Sequence, residues 1–269
     1  MVFEAKVLGP VEAVRDGRAV ALGSPKQRAV FALLVLNAGR VVPTERLVEE
    51  LWGEHPPDSP SSAVQVYVSR LRRSLRADPP TGPPAAQEQA PVTLRRRGGG
   101  YQLDLPGRCV DAEQFATLVA SGRELLAQRP ADARQVLEEA LALARGPALA
   151  DVVATLGPTG AAEARRLDDL RLLAEQARLQ ALLAQGEAAT AAADAGALVR
   201  RHPLQEDLRA LHVLALYRSG RQAEALAAYE EVRRQLAEEL GVDPGAALRA
   251  LHDRVLRQDP ALDPAPPAA

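Results

Sequence analysis

Four arginines stand close together at the end of SSAVQVYVSRLRRSLR (Ser61–Arg76): Arg70, Arg72, Arg73 and Arg76. Three more, Arg95, Arg96 and Arg97, precede the glycine run of VTLRRRGGGYQL (Val92–Leu103). Guanidinium groups are permanent cations with forked N–H donors, suited to phosphate oxygens and to the acceptor edge of guanine. On a helical wheel Val64, Val68, Leu71 and Leu75 fall on one apolar face, at i, i+4, i+7 and i+11. Ser62, Val66, Ser69 and Arg73 lie opposite, with Gln65 and Arg76 beside them and Arg70 and Arg72 flanking. Short polar groups on such a face can meet base edges while long cations reach phosphates on both walls of a groove. Val66 is informative, because an exposed valine has little structural purpose there but can contact a thymine methyl group. The second segment reads as a β-hairpin with Arg97-Gly98-Gly99-Gly100 around its turn. Arg95 and Arg97 then share one face and Arg96 the other. Glycine lets backbone approach DNA closely, and arginine suits a narrow minor groove. Tyr101 is either a core anchor of the hairpin or a phosphate contact through its hydroxyl. The plainer alternative for both segments is a solvated, arginine-rich surface, and the surrounding elements decide between them.

Those elements are legible. Phe3–Leu8, Val11–Arg15 and Arg18–Leu22 are short strand-like runs, the last two joined by Asp16-Gly17, a strong hairpin signal. A first helix starts at Ser24-Pro25-Lys26-Gln27, with Ser24 as N-cap, Pro25 as first helical residue and Gln27 as capping-box partner, and stops by Asn37–Gly39. A second helix is capped by Thr44 and ends at Trp52-Gly53. The proline-rich loop Glu54–Pro60 leads to a third helix that runs from Ser59-Pro60 to about Arg76. The fold class expected is mainly α with a small β part. A winged helix-turn-helix (α+β) spans residues 1–107, with a flexible insert at 78–91. An all-α tetratricopeptide-like helical repeat domain follows at 108–257, then a disordered tail at 258–269. Helices are expected at about 112–128, 131–145, 161–185, 187–201, 204–219, 221–240 and 244–257. In SGRQAEALAAYEEV, Gly220 takes the turn, Ala225 permits close helix approach and Tyr229 fills the gap one turn later.

The chain has 269 residues, net charge −2, 47% hydrophobic but only 3% aromatic residues, and one cysteine. Near-neutral charge would argue against a polyanion partner, but its distribution does not. Residues 1–110 carry 15 Lys/Arg against 11 Asp/Glu, and the remainder 18 against 24. Within 61–108 the balance is 8 against 3, a basic patch on an otherwise acidic chain. A lone Cys109 permits no intramolecular disulfide and fits an inert thiol in a reducing compartment. No apolar run is long enough for a bilayer and no signal peptide is visible, so a cytoplasmic, nucleoid-associated protein with no membrane partner is expected. His55, His202, His212 and His252 are scattered without metal-ligand spacing, and no GxxxxGK[ST] phosphate loop occurs. No catalytic residue, metal or cofactor is expected, and the chain does not read as an enzyme.

The segments LGSPKQRAVFALLVLNAGRVVPTERLVEELWG, AVQVYVSRLRRSL and the GGGY hairpin resemble the OmpR-type DNA-binding domain of the Streptomyces antibiotic regulatory protein (SARP) family. RGPALADV, RHPLQEDLRALHVLALYRSGRQAEALAAY and LGVDPGAALRALH resemble that family's bacterial transcriptional activator domain. The likeness covers nearly the whole chain, although Ala144 stands where a tryptophan often precedes RGPALAD. Carried over by position, it implicates Ser62, Gln65, Val66, Tyr67, Ser69, Arg70, Arg72 and Arg73 in groove reading and Arg95, Arg97 and Tyr101 in the wing. It points to Trp52 as a phosphate contact through its indole N–H, the alternative being a hydrophobic plug. Lys26 and Arg28 are lesser phosphate candidates. The resemblance further implies a sequence-specific DNA-binding transcriptional activator of a secondary-metabolite gene cluster for antibiotic biosynthesis, with a two-component-like DNA-binding domain. Such a protein binds double-stranded promoter DNA at direct repeats near the −35 element as a head-to-tail homodimer and recruits RNA polymerase holoenzyme. Two other readings stay open at this point: a helical-repeat interaction module in which DNA binding is subordinate, and a repressor that occludes polymerase.

Overall fold

The structure, a computed structural model, describes residues 2–76, 92–107 and 109–263. The expected insert at 78–91 lies outside the described residues. Contacts divide the chain into two compact units, Met1–Leu118 with Ala140–Arg171, and Val119–Glu139 with Leu172–Ala269.

The first unit opens with a three-stranded antiparallel sheet, β1 (Phe3–Lys6), β2 (Glu12–Arg15) and β3 (Arg18–Ala19), in that order. Asp16 and Gly17 both take positive φ, 48° and 76°, the geometry that matches a two-residue turn to strand twist. β1 and β3 are shorter than expected; β1 stops because the chain beyond Lys6 leaves the ladder. Val7 and Leu8 donate their N–H groups to the Asp111 carboxylate at 2.8–3.0 Å, and their carbonyls accept from Leu149 and Arg145. The sheet is thus completed by residues beyond 107, and the compact unit does not stop at the boundary expected there. Burial pushes the Asp111 carboxyl above its ordinary value of 3.8, opposed by the backbone N–H groups of Leu8 and Val7 and then by Arg145.

α1 (Pro25–Leu36) begins as expected, with the Gln27 N–H donating to Ser24 Oγ at 3.4 Å and proline in the first turn. Ala29 through Val35 are all buried, so this helix forms the middle of the core. β4 (Val41–Pro43), which was not among the expected elements, is a strand that pairs with the hairpin β5 (Thr93–Arg97) and β6 (Gly100–Asp104) in the order β4-β6-β5. Three residues are too few to display alternation, so the signal lay only in two consecutive valines. Thr44 is not the N-cap of α2 (Thr44–Trp52). Pro43 occupies that position, and the Thr44 hydroxyl and N–H both donate to the Gly99 carbonyl, at 2.8 and 3.1 Å. α3 (Pro60–Ser74) buries Val64, Val68, Leu71 and Leu75 as predicted. It ends two residues early, where Arg15 donates to the carbonyls of Leu75 and Arg76 at 2.6 and 3.0 Å, a cation placed on terminal helix carbonyls.

Beyond the hairpin come α4 (Asp111–Leu125), α5 (Pro130–Ala142), a 3-10 turn at Val153–Thr155, α6 (Pro158–Ala184), α7 (Ala188–Arg201), α8 (Glu206–Arg218), α9 (Gln222–Leu240) and α10 (Ala246–Leu256), close to the expected helices. In the second unit, α7, α8, α9 and α10 pack through Ala191, Ala195, Leu208, Leu216, Ala225 and Val255, all buried. Gly220 takes the left-handed turn at φ 79° and Tyr229 stacks on His252 at 3.8 Å between ring centroids. The tail is ordered further than expected. Pro260–Leu262 forms a 3-10 turn, Leu262 is buried, and its carbonyl accepts from Arg218 Nε at 2.6 Å. The apolar leucine gives this part of an otherwise proline- and alanine-rich tail something to bury; residues 264–269 lie outside the described residues.

Burial, then the guanidinium groups of Arg209, Arg221 and Arg200, holds His212 below its ordinary value of 6.5, with Glu231 opposing. Its Nδ1 has no hydrogen-bond partner among the described residues. As pH falls the unfolded chain takes up this proton first, so the stability is present above the unfolded pKa and is lost as pH falls through the folded one. The thermal midpoint of the second unit is therefore expected to drop between about pH 7 and about pH 5, and His212→Gln to flatten that slope. Calorimetry across this range checks it; an equal slope in both proteins counts against it.

Candidate nucleic-acid interface

α3 is fixed by its apolar stripe against α1 and α2, and this packing leaves Ser62, Gln65, Val66, Ser69, Arg70, Arg73 and Arg76 exposed on the other side. Val66 is 45% exposed, unusual for a valine between two buried turns of helix. The side chains of Arg70 and Arg73 make no hydrogen bond or ion pair with any described residue, and nor do those of Arg95, Arg96 and Arg97. Among the described residues a phosphate meeting these groups has no salt bridge to displace, which favours pairing with a polyanion over neutral partners.

Three of the candidate side chains form one cluster from three helices. Lys26 Nζ lies 4.7 Å above the Trp52 ring, and Trp52 stacks on Tyr67 at 6.3 Å with planes 20° apart. Trp52 and Tyr67 are half-buried, so the indole is shared between packing and surface and is not a plug under the sheet. On the wing, Arg95 stands opposite Gln102, Arg96 opposite Tyr101 and Arg97 opposite Gly100, so Arg95 and Arg97 share a face.

Other candidates are drawn into the scaffold. Arg72 donates from Nε to the Leu94 carbonyl at 2.7 Å and lies 5.9 Å from the Tyr101 ring centre, tying the reading helix to the wing. Tyr101 is 3% exposed beneath it, which fits the core anchor and leaves no face for a phosphate. Arg28 pairs with Asp151 at 2.6 Å and donates to the Gly23 carbonyl at 2.8 Å, so its guanidinium is held inside the first unit. In the structure these three side chains thus already have partners within the first unit. Polar side chains on a helix look alike in sequence whether they meet DNA or a neighbouring strand. The distinguishing partner, Leu94 or Asp151, is distant in the chain.

Comparison with known proteins places this arrangement. Residues 17–103 match the family described as transcriptional regulatory protein, C terminal, and residues 110–256 match the bacterial transcriptional activator domain. The chain is 38% identical to regulatory protein DnrI of Streptomyces peucetius, covering 99% of this chain and 98% of that protein. It is 39% identical to transcriptional regulator RedD of Streptomyces coelicolor, over 96% of this chain and 72% of that one. The chain belongs to the Streptomyces antibiotic regulatory protein family. As a member it is a transcriptional regulator, built as a winged helix followed by a helical activator domain. The family also includes much longer members: the match to regulatory protein AfsR of S. coelicolor is 44% identical over 95% of this chain but only 24% of that protein. The solved structure of Mycobacterium tuberculosis EmbR in complex with a low-affinity phosphopeptide superposes at a TM-score of 0.84 with 34% identity, over 96% of this chain and 66% of that one. Among the described residues no helix is long and apolar enough to cross a membrane. Burial pushes the Cys109 thiol up to about 11, which keeps it protonated at neutral pH.

Proposed function

We propose that this regulator activates transcription by binding promoter DNA, with α3 in the major groove and the β5–β6 wing beside the minor groove. The single observation that carries the reading is the outward face of α3, where Arg70 and Arg73, without a partner among the described residues, flank the exposed Val66. The Lys26–Trp52–Tyr67 cluster is placed to meet backbone phosphate next to that face. By family membership the promoter belongs to a secondary-metabolite cluster. Two copies bind direct repeats near the −35 element head to tail, about one helical turn apart so that both face the same side. The activator domain then assists recruitment of RNA polymerase holoenzyme. Selection of duplexes from a random pool, followed by footprinting on the genomic neighbourhood, tests this. A protected repeat and a steep fall of affinity with salt are expected. Absent or salt-insensitive binding overturns it, and in vitro transcription separates activation from occlusion.

Val66 gives a sharper test at one base. Replacing each thymine of the selected duplex by uracil removes only the C5-methyl group. The wild-type chain is expected to lose about fourfold in affinity at one position, the scale of one buried methylene, and Val66→Ala to show no loss there. Equal sensitivity in both proteins would remove Val66 from the reading set.

A further inference from the structure

Glu50 lies on α2, within the helix-turn-helix, yet it is 3% exposed. Its two carboxylate oxygens accept the backbone N–H groups of Thr159 at 3.2 Å and Gly160 at 2.9 Å, in the first turn of α6, and its own carbonyl accepts from the Gly157 N–H at 2.7 Å. All of these residues belong to the first unit. The start of a helix offers unpaired N–H groups and the positive end of the helix dipole, so a buried carboxylate is satisfied there without a cation. The fit is close. A methyl group on Gly157 would stand 3.0 Å from Glu50 Cα and 3.2 Å from Oε2. The same stretch grips the other supports of α3: Asp151 accepts from Arg28 of α1 at 2.6 Å and from the Val11 N–H at 2.7 Å.

We propose that Glu50 is a positioning residue for DNA reading, fixing α2, and with it α3, on the first turn of α6, so that residues 149–160 are a working part of the reading unit. Phosphate contacts come from long, adaptable side chains and tolerate a small tilt of α3; contacts to base edges do not. Disturbing the Glu50 seat therefore weakens discrimination between sequences while leaving the electrostatic part of binding in place.

This rests on the DNA-reading role proposed above, and the two fail separately. If the full-length wild-type chain selects no duplex from a random pool, the DNA-reading role itself is overturned before any variant is made. With a selected duplex in hand, Glu50→Gln and Gly157→Ala are compared with wild type on that duplex and on a scrambled one across a salt series. Glutamine keeps the shape but sets an NH2 group against one of the two N–H donors; Gly157→Ala pushes on the same seat from outside the helix-turn-helix. Both are expected to lower the ratio of selected to scrambled affinity by about tenfold, the scale of one mismatched base pair, with the salt slope unchanged. An unchanged ratio in both variants overturns the proposal, as does a parallel loss on both duplexes, which would mark a purely structural role. If Glu50→Gln does not fold, Gly157→Ala decides by the same two results.

Discussion

Arg70→Ala is expected to lower affinity for the selected duplex by roughly ten- to a hundredfold, the range of one good guanidinium contact, with no change in thermal midpoint. Anisotropy titration and calorimetry on the same preparation check both halves. The guanidinium of Arg70 is exposed and has no partner among the described residues, so its removal orphans no buried group. Surface substitutions of that kind stay within about 0.5 kcal/mol of wild type. Arg72, two residues along, should behave in the opposite way. Its loss takes away the hydrogen bond to the Leu94 carbonyl and the cation over Tyr101, a destabilisation of about 1–2 kcal/mol that loosens the wing. The salt series then assigns the Arg70 contact: a slope reduced by about one means phosphate, and an unchanged slope means a base edge. Full affinity in Arg70→Ala would move the reading face off this side of α3.

That contrast also shows how far the sequence could be read. The stripe Val64, Val68, Leu71, Leu75 has one structural solution, and its spacing alone puts Val66 and Arg70 outward. The long alanine- and leucine-rich segments gave the helices for the same reason: burial periodicity is local information. What was not legible depends on partners far away in the chain. β4 exists because Val42 pairs with Tyr101, 59 residues on. Thr44 left its expected cap because Gly99 offered a carbonyl. Arg28 and Glu50 look like surface charges until Asp151 and the first turn of α6 are brought to them. The contacts that cross residue 107 are hidden in the same way, since the backbone groups of Val7 and Leu8 find their partners at Asp111, Arg145 and Leu149.

The glycine run of the wing separates into three different substitutions, of which Gly100→Ala has the largest effect on stability. A Cβ on Gly100 would lie 2.2 Å from the Val42 carbonyl oxygen, 2.8 Å from its carbon and 2.9 Å from Pro43 Cα. All three are backbone atoms of the neighbouring strand, so no side chain can swing away and the β4–β6 ladder must open. The expected cost is about 3 kcal/mol, the upper end for overpacking in a well-packed core. Gly98 sits at φ 54° with open space around it, so alanine there costs only the left-handed strain of about 1–2 kcal/mol. Gly99 has neither constraint. Its contribution is a carbonyl that accepts from Thr44, which alanine keeps, and Gly99→Ala should melt with wild type. Because Arg97 is paired with Gly100, opening the ladder also displaces the wing arginines, so affinity for DNA should fall in the order Gly100, Gly98, Gly99. Thermal melts together with amide exchange over residues 93–104 test the order. A Gly100→Ala protein as stable as Gly99→Ala would mean that β6 does not run against Val42 as it does here, and the register of Arg95 and Arg97 would have to be redrawn with it.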